Sequence, residues 1–150
     1  MNPALLSLTL HLRLVGGSLL VLALLHAFFS KPFRWREELD RLSLLNRQIF
    51  YVHTYFVVLT VILFGLLSFV WPETLLDSSL LARLVCAGQA IFWGFRLYCQ
   101  FAVYHPELWR GKPFQTIVHV FFSLLWAYYT LVYVAACFAA SQYSLRGSLP

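Results

Sequence analysis

Residues 48–71 read QIFYVHTYFVVLTVILFGLLSFVW. The stretch carries no Asp, Glu, Lys or Arg. It exceeds the about 20 mostly apolar residues that a helix needs to cross a bilayer core. Apolar and polar residues do not alternate along it, which argues against a strand. A backbone in hydrocarbon must also satisfy its own N–H and C=O groups, and a single helix does so. Three further stretches are long and mostly apolar with few charges: 8–29 (holding Arg13), 80–104 (holding Arg83 and Arg96) and 114–140. Between them lie the breakers and charges, Lys31-Pro32, Pro72-Glu73 and the run from His105-Pro106-Glu107 to Lys112-Pro113. The expected fold is all-α: an integral membrane four-helix bundle, with residues 1–150 forming a single transmembrane domain.

Composition agrees. Of 150 residues, 61% are hydrophobic and 11% charged, against about 45–50% and about 25% in soluble domains. A chain this short has too little interior to hide that excess. A soluble enzyme domain, a disordered tail, a disulfide scaffold and a nucleic-acid module are all excluded. Cys86, Cys99 and Cys137 form no CxxC pair and lie in apolar stretches, so they read as small buried residues. The start, MNPALLSLTLHLRL, has no basic n-region and reads as the approach to a span rather than as a cleaved signal peptide.

The net charge of +5 is a matter of topology. Lys31, Arg34, Arg36, Arg41, Arg47, Arg110 and Lys112 lie in the segments after spans one and three, against Arg13, Arg83 and Arg146 on the other side. The positive-inside rule then places loops 30–47 and 105–113 in the cytoplasm and both termini outside. A bacterial inner membrane is the expected location. Within 33–47, Trp35, Leu39, Leu42 and Leu45 share one face, as in a short interfacial helix whose Arg side chains snorkel. Anionic lipid or partner docking is the sharper reading of that helix.

The two halves resemble each other. Arg13-Leu14-Val15 recurs as Arg83-Leu84-Val85, Pro32-x-x-Trp35-Arg36 as Pro106-x-x-Trp109-Arg110, and Val52-His53 as Val118-His119, in the same order. This predicts two tandem helical hairpins related by a pseudo-two-fold axis along the membrane normal. The alternative is biased composition, since Pro, Trp and Arg all favour membrane boundaries.

Ionisable residues within spans are expensive and mark interior sites. His53 and His119 fall near the inner ends of spans two and four, and His26 and Arg96 near those of spans one and three. Polar stripes run along Cys86, Gln89, Trp93, Arg96 and Gln100, and along Gln115, His119, Ser123, Trp126, Thr130 and Tyr133. A weaker one joins Ile49, His53, Phe56 and Thr60. The stripes are expected to meet in the centre of a bundle. His53 and His119 would then be axial ligands of a b-type haem, or metal ligands, with Arg96 balancing charge and His26 nearby. His11 has no evident partner at its depth. In architecture this resembles small membrane cytochromes b, although the regularly paired histidines of two-haem bundles are missing.

Two other readings stand beside a haem or metal redox subunit engaged in electron transfer. One is a quinone- or lipid-binding protein with aromatic walls and a few polar groups. The other is a non-catalytic membrane accessory or assembly protein, acting through Trp35, Arg36, Trp109 and Arg110. In that case the polar residues only fix helix packing. The expected partners are the bilayer itself and other membrane subunits or a second copy, with no nucleic acid. Asp and Glu are absent from the spans, which disfavours a carboxylate-bridged di-iron site and a carboxylate proton relay. Whether the chain is an enzyme is left open by the sequence.

Overall fold

The computed structural model describes residues 3–29 and 35–147, and all regular structure within them is helical. The elements are α1 (Pro3–Phe29), α2 (Trp35–Leu39), α3 (Leu44–Val70), α4 (Pro72–Leu75), α5 (Leu80–Ala102), a 3-10 turn (Pro106–Leu108) and α6 (Pro113–Gly147). Four helical segments are long and apolar enough to cross a membrane: Leu5–His26, Leu44–Val70, Leu80–Ala102 and Pro113–Ala140.

Local chemistry sets the boundaries. The expected helix over 33–47 is divided, because the chain turns at 40–42 and α3 already starts at Leu44. Ser43 accounts for this: its Oγ accepts the Asn46 N–H and caps α3. An Asp40–Arg47 ion pair of 2.7 Å bridges the same turn. Residues 44–47 therefore extend the second apolar helix instead of lying in a separate one. The side chains of Trp35 and Arg36 lie outside the described residues.

Pro72 disfavours helical backbone at Trp71, so α3 stops at Val70. Ser79 caps α5 by accepting the Ala82 N–H at 3.2 Å. Between α5 and α6, His105 Nδ1 accepts the Glu107 N–H, Gly111 takes a φ of 74° that only glycine adopts freely, and Pro113 opens α6. The Thr116 hydroxyl donates to the Trp109 carbonyl at 2.6 Å, drawing this loop back against the start of α6.

The chain divides into two compact units: Leu12–Pro72, and residues 1–11 together with 73–150. In the first, α1 and α3 touch backbone to backbone. A Cβ on Gly16 would meet the Phe69 amide nitrogen and lie 2.7 Å from the Gly65 carbonyl oxygen. The small residues permit that approach, as in helix pairs packed in lipid. In the second unit, α5 buries Ala82, Cys86, Gln89, Ala90, Trp93 and Gln100. These recur every three or four residues, as one helical face must. The matching face of α6 carries Trp126, Tyr129, Tyr133, Ala136 and Ala140.

Candidate functional site

The polar face of α5 meets α6 in a hydrogen-bonded relay. Gln100 and His119 are both buried, at 6% and 9% exposure. The Arg96 guanidinium donates from Nη1 to Gln100 Oε1 at 3.1 Å, and Gln100 Nε2 stands 3.1 Å from His119 Nδ1. The guanidinium also donates to the Tyr104 hydroxyl at 3.5 Å and lies over the rings of Tyr104 and Trp126, at 5.5 and 5.0 Å from their centroids.

This order fixes the histidine tautomer. A guanidinium only donates, so it takes the amide oxygen of Gln100. The amide nitrogen therefore faces His119, and Nδ1 must accept. A neutral His119 then carries its proton on Nε2, which has no hydrogen-bond partner among the described residues. The imidazole itself is clamped between aromatic groups. Trp109 stacks on it at 4.4 Å with 12° between the planes, Phe101 meets it edge-on at 5.8 Å, and the Arg110 guanidinium lies over the Trp109 ring, 5.5 Å from its centroid.

Further along α5 and α6 the same interface becomes an aromatic ladder. Trp93 stacks on Trp126 at 5.2 Å, and Trp126 on Phe122 at 5.4 Å. Trp93 Nε1 donates to Gln89 Oε1 at 3.2 Å. Two donors in this ladder, Gln89 Nε2 and Trp126 Nε1, are buried without an acceptor. Such groups forfeit a hydrogen bond they would have had with water.

The residues singled out from the sequence are distributed unevenly. Arg96, His119, Trp109 and Arg110 come together in one cluster. His26 and His53 lie in the other unit, and each spends its Nδ1 proton within its own helix, on the Leu22 and Ile49 carbonyls, both at 2.8 Å. The face of Ile49, His53 and Phe56 is exposed, whereas α3 buries Val61, Gly65 and Ser68. Among the described residues, no group of three or more His, Cys, Asp or Glu side chains is placed to hold a metal ion.

Two features escaped the sequence reading. Gln100 is the hub of the relay, which the Arg96–Gln100 spacing of one helical turn could have suggested. His11 does have a partner: its Nδ1 lies 2.8 Å from the Tyr128 hydroxyl. That pairing joins residues far apart in sequence, and no local pattern announces it. Comparison with protein families, with curated proteins and with solved structures found no match in any of the three.

Proposed function

We propose that this chain is an integral membrane protein that binds an amphipathic ligand, apolar along its length with a hydrogen-bond-accepting end, at the Arg96–Gln100–His119 relay. The membrane supports the first part of the reading. Large apolar side chains such as Ile91, Leu84, Phe114 and Leu124 are exposed along helices long enough to span, and water would not tolerate so continuous a surface. The loops 30–47 and 105–113 carry most of the Lys and Arg and face the cytoplasm in this reading.

One observation carries the ligand site: the relay leaves two kinds of donor, the guanidinium of Arg96 and the Nε2–H of His119, at the edge of an aromatic ladder. Donors with no acid opposite them suit an acceptor group on an otherwise apolar molecule. The haem-or-metal reading needs a bare Nε2 on His119, with Nδ1 donating to an acceptor. The relay favours the other tautomer, and the ligand reading is therefore preferred.

The test is an organic extract of the purified chain, analysed by mass spectrometry beside a visible spectrum of the same sample. The expected result is a colourless protein with one amphiphile enriched near stoichiometry and depleted in Gln100→Leu. An extract unchanged by that substitution overturns the reading. So does a Soret band with sharp reduced α and β bands that vanish in His53→Ala and His119→Ala, which would establish a bis-His haem instead.

A further inference from the structure

Arg96 has a charge that nothing in the described structure answers. Gln100, Tyr104 and Trp126 engage its guanidinium, and all three are neutral. No carboxylate among the described residues lies within ion-pair distance of it. The side chain leans toward the C-terminal end of α5, because its partners Gln100 and Tyr104 stand further along the chain. Each helical turn advances about 5.4 Å, so the cation is carried from within the apolar segment toward its boundary, where head groups lie.

Along residues 88–99 the outer face of α5 forms a shallow, largely open groove of about 480 Å³, lined by Gly88, Ile91, Phe92, Phe95, Arg96 and Cys99, all on this one helix. Gly88 forms its floor: nothing stands within 4 Å of the place where its Cβ would be. Ile91 and Phe95 form exposed walls, at 72% and 65%. The groove is thus apolar along its length, and Arg96 borders it with its guanidinium turned to Gln100 and Tyr104.

We infer that this face of α5 holds an acidic phospholipid, with an acyl chain along Gly88 to Phe95 and a phosphate oxygen on Arg96. The inference rests on the membrane and amphiphile reading above and names the ligand class. Charge complementarity decides that class. The planar guanidinium fork matches phosphate geometry, and a lipid of net negative charge supplies the missing anion without bringing its own cation. Arg110 and Lys112 are exposed in the segment following α5 and add to the same positive field.

Native mass spectrometry of the full chain in detergent tests this, with dioleoyl phosphatidylglycerol and dioleoyl phosphatidylcholine titrated under the same conditions. Phosphatidylglycerol should be retained in preference. Arg96→Gln should lower its retention about fivefold and leave phosphatidylcholine unchanged. Gly88→Leu, whose Cβ would meet nothing within 4 Å, should lower retention of both by filling the groove. Equal retention of the two lipids, or a preference that survives Arg96→Gln, overturns the inference. If decylubiquinone binds and requires Gln100 while neither lipid is preferred, the lipid class falls and the amphiphile reading stands. If none of the three binds, both fall.

Discussion

The α1–α3 pair and the α5–α6 pair solve the same problem in opposite ways. Both bring two long apolar helices side by side. In α1–α3 the contact is made by removing side chains: Gly16 lies against the backbone of Gly65 and Phe69, and Gly65 lies against Leu20. In α5–α6 it is made by stacking them: Trp93, Trp126, Tyr129 and Phe122 fill the interface, and Gln100 ties it to His119. The histidines of the two Val-His pairs follow suit. His53 is exposed and bonded to its own helix, while His119 is buried and bonded across to α5. A sequence pattern shared by two segments therefore does not carry a shared environment with it. A glycine contact leaves no room for chemistry, whereas a contact built from large polar and aromatic groups does.

The sharpest way to break this comparison is to make one substitution in both places. Gly16→Leu drives a side chain into the Phe69 and Gly65 backbone, which cannot move aside as a flexible side chain would. We expect a loss of about 3 kcal/mol or more, beyond the usual cost of overpacking. Gly88→Leu meets open space and should be neutral or stabilising, by up to about 1 kcal/mol, because glycine is a poor helix former. Thermal unfolding in mild detergent measures both. Equal effects would mean that α1 and α3 do not pack through glycine.

Next in size is the contrast between the histidines. Gln100→Leu strands the buried His119 Nδ1, at a cost of about 1–3 kcal/mol for an unmet buried group, and also removes one acceptor of the half-buried Arg96 guanidinium. His53→Ala, at an exposed position, should stay within about 0.5 kcal/mol. Nitrogen NMR of the histidines sharpens the point. His119 should carry its proton on Nε2, and His26 and His53 on Nδ1. A common tautomer for all three would remove the distinction.

The sequence made the long helices readable because span length and the absence of charge need no tertiary information. Stripes on α5 and α6 were readable for a related reason: Cys86, Gln89, Trp93 and Gln100 repeat at helical spacing and are buried together. Identity along a stripe was a poorer guide to what each residue does. Ser123 and Thr130 lie on the polar stripe of α6, yet each hydroxyl donates to a carbonyl one turn back, at 2.8 Å in both cases, and so offers nothing to a neighbour. The Trp109 ring over His119 was illegible because it depends on how a short loop folds back, through Gly111 and the Thr116 hydroxyl. The sequence offers Trp109 only as part of a partner- or lipid-facing loop, in the accessory-protein alternative, because Trp and Arg both favour membrane boundaries.

A smaller substitution probes the stacking contribution of the α5–α6 interface. Trp126→Phe keeps a ring between Trp93 and Phe122 and deletes a buried donor that has no acceptor. It should be close to neutral, within about 1 kcal/mol, because relief of the unmet N–H offsets the loss of ring area. A large destabilisation would show that Nε1 is satisfied in the working protein, by water or by ligand, and would redirect attention to that atom.

Tyr128→Phe removes only the hydroxyl that His11 meets at 2.8 Å. Hydrogen bonds between helices in a bilayer average about 0.6 kcal/mol, because the separated helices find other partners there. The expected loss is of that size, readable as a small shift in unfolding midpoint that His11→Ala in the same background does not enlarge. Non-additivity of this kind identifies the pair as a unit. Full additivity would mean that the two side chains contribute independently and that the contact itself is incidental. Either result keeps the pair apart from the relay, since neither His11 nor Tyr128 shares a hydrogen bond with Arg96, Gln100 or His119.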